Sequence, residues 1–124
     1  LANNFGIVIT QRLVRRLCPL CKKDRRVRRT DLPEYGRKYL SQEEQVIFTA
    51  QGCSRCREGF DGRTVIAEVS GIHEGMVRMI SCGDMIGLKD HLKAQKDHRT
   101  LVCDARRLVL AGTTSIEEVV RILG

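Results

Sequence analysis

The sequence predicts a mainly α fold with a small β element, on two observations. Apolar residues recur at helical spacing in segment after segment, and residues 64–69 have the β-branched content of a strand. A length of 124 residues suits about one domain, able to bury roughly two thirds of its unfolded surface.

Taken in order, residues 10–17 place Leu13, Val14 and Leu17 on one helical face, which Pro19 ends. Ahead of them Ile7, Val8 and Ile9 read as the edge of an interior strand or helix whose neighbours are missing. With no initiating Met, a fragment of a longer protein is expected. Asp31 shortly before Pro33 marks a helix start. Ser41 and Glu44 stand in capping-box register for another short helix through about Thr49. A turn-rich knuckle, Glu58-Gly-Phe-Asp-Gly-Arg63, then leads into the strand. Helices are expected over residues 72–81, from Asp84 as cap to about Ala94, and from Thr100 to Gly112. The last helix has the clearest start, a capping box at Thr114-Ser-Ile-Glu117. Its Ile116, Val119, Val120 and Leu123 make one apolar stripe suited to core packing.

The strongest chemical signal is a pair of C-x-x-C turns, Cys18-Pro-Leu-Cys21 and Cys53-Ser-Arg-Cys56. Each such turn can deliver two thiolates to adjacent corners of a tetrahedron, so the four together suit a thiophilic divalent ion, most naturally zinc. Four cysteine ligands leave no open coordination position, which makes the expected site structural rather than catalytic. The intervening residues 22–52 exceed the loop of a short zinc module, so they should carry a structural element of their own. A redox pair or disulfide is the rival reading, but a dithiol oxidoreductase has one such turn in a βαβ setting. An iron–sulfur cluster uses the same thiolates, and spacing alone leaves it as an alternative. Cys82 and Cys103 read as buried free thiols. Reduced thiols with a metal site fit a cytoplasmic protein.

The formal charge is +7, and its excess is local. From Arg12 to Arg29 nine basic residues face one acid, Asp24. Neutralisation of a zinc-thiolate centre and a solvated basic loop account for part of this; anionic lipid headgroups are the next reading, through the tract from Lys22 to Arg29. Nucleic acid is not the expected partner, because the five aromatic residues are scattered and offer no stacking cluster. No apolar run of roughly 18 residues occurs to make a membrane-spanning helix. His73, His91 and His98 stand isolated, read as surface or half-buried, and none is assigned a catalytic role.

Two stretches carry a family resemblance. Gln11-Arg-Leu-Val-Arg-Arg-Leu-Cys18-Pro-x-Cys21-Lys is followed by Gly52-Cys53-x-x-Cys56-x-x-Gly59-Phe60-x-Gly62-Arg63-x-x-Ile66-x-Glu68-Val69. The end of the chain adds Thr100-Leu101-x-x-Asp104 and Val109-Leu110-Ala111-Gly112-x-Thr114-Ser115-x-Glu117-Glu118-Val119-x-Arg121. Together these resemble the C-terminal region of the ATPases that drive type II secretion and type IV pilus assembly, the GspE/PilB group. Glu58, Phe60, Val65, Asp97, His98, Ala105 and Leu108 depart from the usual family pattern and suggest a divergent member.

The resemblance implies a piece of a larger RecA-like ATPase, hexameric in the parent, cytoplasmic and peripheral at the inner membrane, with a platform or secretion-complex protein as partner. It divides the chain into the edge of the ATPase core (residues 1–9), a tetracysteine zinc-binding subdomain (10–70) and a helical subdomain (71–124). ATP and magnesium would belong only to the parent, since the phosphate-cradling G-x-x-x-x-G-K-[ST] string does not occur here. The piece is therefore expected to be structural and mechanical, to bind no nucleotide by itself and to hold no catalytic residue. Its metal ligands would be Cys18, Cys21, Cys53 and Cys56. The alternative is a free-standing zinc ribbon that binds nucleic acid.

Overall fold

A computed structural model describes residues 6–71, 74–94 and 100–124. Strands β1 (Ile7–Leu17), β2 (Lys23–Arg28), β3 (Glu44–Thr49) and β4 (Phe60–Gly71) share the chain with helices α1 (Glu34–Arg37), α2 (Glu74–Cys82), α3 (Met85–Ala94), α4 (Leu101–Leu110) and α5 (Ile116–Leu123). The fold is thus mixed α/β rather than mainly α. β1 pairs with β4 and β2 with β3, in two separate two-stranded sheets. His73 and His98, the expected start of a helix at residue 72 and residues 1–5 of the proposed core edge lie outside the described residues.

Two segments expected as helices are strands. Residues 10–17 belong to β1, which continues the β-branched run Ile7-Val-Ile-Thr10 and takes its backbone partner from β4, far along the chain. Residues 44–49 form β3, where Val46, Ile47, Phe48 and Thr49 supply strand-favouring side chains. Ile47 is fully buried and its neighbour Val46 is exposed, the alternation of a half-covered strand. Ser41 does not cap a helix: its backbone N–H and its hydroxyl both donate to Oε1 of Gln45. β3 lies antiparallel to β2, from Lys23 opposite Thr49 to Arg28 opposite Glu44. The basic tract is therefore mostly a strand, in which Val27 alone is buried.

The expected strand over residues 64–69 lies within β4, and the helical expectations after it are met with small shifts. Asp84 accepts the Gly87 N–H through Oδ1 at the start of α3. α4 ends in a Schellman corner: Gly112 sits at φ +74°, Gly112 N–H donates to Val109 O and Thr113 N–H to Leu108 O. α1 begins after Pro33, with a single 3-10 turn (Arg29–Asp31) ahead of it.

The chain divides into two compact units, residues 1–11 with 67–100 and residues 12–66 with 101–124. In the first, α2 packs against α3 and Met76 is buried. The second holds the main core, where Val14, Val27, Tyr39, Leu40, Ile47 and Ile66 meet Leu108, Val109, Ile116 and Val119. The stripe on α5 faces this core, with Ile116 and Val119 buried and Val120 and Leu123 packed at its margin.

The cap of α5 is Ser115, one residue later than expected; its hydroxyl accepts the Glu118 N–H. Thr114 turns instead to β1 and donates its hydroxyl to Arg15 O at 2.9 Å. This offset places Glu118 inside the unit with its side chain fully covered. Its carboxylate accepts the Arg15 backbone N–H at 2.8 Å and both guanidinium groups of Arg15 and Arg121. Burial pushes this carboxyl up, but the donors of Arg121 and Arg15 outweigh it and hold the pKa at about 2.

A folded pKa depressed below the unfolded value stabilises the native state above the unfolded pKa and is lost as pH falls through the folded one. Glu118 should therefore contribute roughly 3 kcal/mol at neutral pH, fading between pH 4.5 and about 2. Urea titrations of the chain and of Glu118→Gln over that range should converge as the pH drops; a constant gap between them would contradict this assignment.

Candidate metal centre

The first cysteine turn is fixed by what precedes it. β1 ends at Leu17, whose N–H donates to Thr113 O at 2.8 Å, and Cys18 N–H donates to Gly59 O at 2.9 Å. Lys22 N–H then closes the turn onto Cys18 O at 3.0 Å. The second turn rests on glycines: Gly52 has φ +110° and Gly59 φ +95°. Glu58, at φ 56°, and Gly59 form the two central positions of a tight turn between Arg57 and Phe60, both left-handed as a type I′ hairpin turn requires. Arg57 and Phe60 exchange two backbone hydrogen bonds of 2.9 Å across it.

These turns bring the four expected ligands together. The sulfurs of Cys18, Cys21, Cys53 and Cys56 all lie within 4.8 Å of one another. Sγ–Sγ separations are 3.9 Å for Cys18 and Cys53, 3.7 Å for Cys21 and Cys56, and 3.5 Å for Cys53 and Cys56. A tetrahedron with metal–sulfur arms of about 2.3 Å has edges of about 3.8 Å, so the donor set fits one four-coordinate thiophilic ion. None of the sulfurs is in a disulfide. Cys18 is buried, Cys21 and Cys56 are half-buried and Cys53 is exposed, which leaves one side open for an ion to enter.

Backbone donors surround the sulfurs. The Arg55 backbone pulls the Cys53 thiol down, but the neighbouring thiols and burial outweigh it and push it up to about 12. Burial pushes Cys56 up, yet backbone groups of Cys53 and Gly59 hold it at about 7, with Cys53 N–H 3.2 Å from its sulfur. Burial raises Cys21 against the Gly52 backbone. Four thiols this close cannot all ionise without a cation, so binding a divalent ion would release protons.

The basic tract spends its charge elsewhere. Lys22 donates to Gly112 O at 2.9 Å and lies 4.8 Å from the Phe48 ring centroid. Arg25, Arg26 and Arg29 reach Glu117, Glu44 and Glu43. Cys82 and Cys103, expected to be buried, are both exposed, because they fall on the outer sides of α2 and α4. His91 is half-buried on α3. The feature missed from sequence is the clamp of Arg15 and Arg121 on Glu118. Its one legible signal was the acid pair after Ser115.

Gly59 is the position most exposed to substitution. A Cβ there would fall 2.6 Å from Ala50 Cβ and 2.8 Å from the Gln51 nitrogen, at a φ that disfavours any side chain. Gly59→Ala should cost about 2–4 kcal/mol in chemical denaturation. Gly62→Ala, whose nearest neighbour would be 3.9 Å away on the flexible Arg16 side chain, should cost less. Equal costs would mean that packing at the cysteine turns does not constrain this corner.

Comparison with known proteins agrees with the geometry. The family profile described as "Type II/IV secretion system protein" matches residues 1–121. The "Type IV pilus assembly ATPase PilB" of Acinetobacter baylyi is 35% identical over 125 residues, which cover 98% of this chain and 21% of that protein. The "Protein transport protein HofB homolog" of Escherichia coli is 34% identical, covering 100% of this chain and 26% of that protein. The "Type II secretion system protein E" of Pseudomonas aeruginosa is 31% identical over 93% of this chain and 22% of its own length. The chain thus spans about a fifth to a quarter of these relatives. With clustered cysteines and a match along almost its whole length, the chain belongs to the type II/IV secretion system protein family.

Proposed function

We propose that this chain is the C-terminal, zinc-stabilised part of a hexameric ATPase that powers protein export or pilus subunit polymerisation at the inner membrane. The observation that carries this reading is the convergence of four sulfurs at tetrahedral spacing in a member of this family. In this reading Cys18, Cys21, Cys53 and Cys56 hold the ion, residues 1–9 are the edge of the ATPase core, 10–70 the zinc-binding subdomain and 71–124 the helical subdomain. The parent supplies ATP and magnesium chemistry. The piece itself acts structurally and mechanically, keeping the end of β1 against the start of β4 and passing motion to a platform protein.

Metal binding is the energetic basis of the proposal. In small zinc peptides it supplies on the order of 10–16 kcal/mol of folding free energy. Native mass spectrometry of the chain should find one zinc ion. Cys18→Ser or Cys53→Ser should lose it, and chelation should unfold the unit of residues 12–66 and 101–124. A metal-free chain that melts at the same temperature before and after chelation would falsify the zinc reading.

The peripheral contact is assigned to the tract from Lys22 to Arg29. Its ion pairs to Glu43, Glu44 and Glu117 are largely solvent-exposed and individually worth about 0–1 kcal/mol. Each base near an anionic headgroup gains about 1 kcal/mol, enough to exchange one partner for the other. Reversing Arg25, Arg26, Arg28 and Arg29 to Glu should abolish salt-sensitive binding to phosphatidylglycerol vesicles. Unchanged vesicle binding rules that contact out, and salt-sensitive binding to random DNA without vesicle binding would favour the nucleic-acid alternative.

A further inference from the structure

Within the unit of residues 12–66 and 101–124 an open cavity of about 890 Å³ carries four guanidinium groups on its wall, those of Arg15, Arg57, Arg63 and Arg121. Two carboxylates stand near them. Glu58 lines the same cavity, and Glu118 is already bound by Arg15 and Arg121 through both oxygens. The Arg57 and Arg63 side chains make no ion pair or hydrogen bond among the described residues. The site therefore has an excess of two positive charges.

The wall is also preorganised. The backbone of Arg57 is fixed by its paired bonds to Phe60 across the tight turn that follows Cys56. The Arg15 guanidinium lies 4.0 Å from the Phe60 ring centroid and is held there by Glu118. Leu13, 55% exposed, adds an apolar surface beside the charges. A guanidinium pair takes a carboxylate or a phosphate equally well, so the apolar neighbour decides between them. A bare phosphate would leave Leu13 in water. A nucleotide base would meet a Phe60 face already occupied by Arg15, whereas an aliphatic side chain between two carboxylates covers Leu13 and neutralises the excess charge.

We infer that this cavity docks an acidic segment of a partner protein, two carboxylates flanking one aliphatic side chain, with Arg57 and Arg63 as the charge contacts and Leu13 as the apolar one. The inference deepens the docking role proposed above, yet it is read out by peptide binding whether or not the cysteines hold zinc.

The test is fluorescence anisotropy of a labelled peptide, Gly-Gly-Glu-Leu-Glu-Gly-Gly, titrated with the whole 124-residue chain at low ionic strength. Circular dichroism and metal content are checked for every variant. Arg57→Glu with Arg63→Glu should weaken binding at least tenfold. Arg78→Glu with Lys89→Glu, the same change in net charge on exposed helical positions, should weaken it less than threefold. Leu13→Ser should weaken the Glu-Leu-Glu peptide but not a Glu-Gly-Glu peptide. Equal loss in both charge-reversed variants, or no peptide binding at all, overturns the proposal. Tighter binding of pyrophosphate or phosphatidylglycerol vesicles than of peptide, lost in the Arg57/Arg63 variant, overturns it in favour of a phosphate or a membrane. If the pocket variant keeps its metal yet loses peptide, the two readings separate; if metal is absent from all variants and the peptide still binds, only the zinc reading fails.

Discussion

Four sulfur atoms gathered within 4.8 Å of one another are the constraint around which the cysteine turns are arranged. Thiols at that spacing are neither bonded to one another nor free to ionise together, so the local backbone must supply both the geometry and the donors that tolerate it. It does so with two left-handed glycines, one left-handed glutamate and N–H groups turned toward sulfur. The turns cost conformational freedom and bury little apolar surface. An ion bound by the four sulfurs would offset that deficit and let so polar a loop system hold one shape.

The cysteine turns are joined to the apolar core through backbone contacts at their margins. Leu17 and Cys18 are consecutive residues, one bonded to the α4–α5 corner and the other to the second knuckle. Lys22 reaches the same corner, where Gly112 packs so closely on Phe48 that a side chain would fall 2.8 Å from its ring. The buried Glu118 then fastens α5 to β1 through the backbone amide and the guanidinium of Arg15, while Arg121 on its own helix completes the set. Removing one partner of such a set leaves a buried charge unpaired, which is costlier than the set is stabilising.

What could be read from sequence follows from the range of the interactions. The cysteine pairs are local motifs, and their gathering at one place was legible before any fold. So was the existence of α3, α4 and α5, whose starts lie within a residue or two of the local signals. β1 and β3 were misread because a strand's partner lies elsewhere in the chain. Leu13, Val14 and Leu17 satisfy helical spacing, while the deciding hydrogen bonds come from β4. Ser41 and Glu44 match a capping box, yet Ser41 bonds the Gln45 side chain instead. Thr114 and Ser115 compete for one role, and only the position of Arg15 O decides between them. The cavity of arginines was invisible for a related reason: its four members are spread from Arg15 to Arg121 and meet only in three dimensions.

The bonds between Arg15 and Glu118 join residues 103 positions apart. On a ribosome adding roughly 5–20 residues per second, β1 waits on the order of 5–20 seconds for this partner to be made. Until then the first cysteine turn lacks the helix that will brace it. A nascent chain in this condition holds β1 without the α5 contacts that cover it in the folded chain. Early capture of an ion by the cysteines would shorten the span left to search, since once the two knuckles are tied the growing C-terminal helices meet a partner already near its final form.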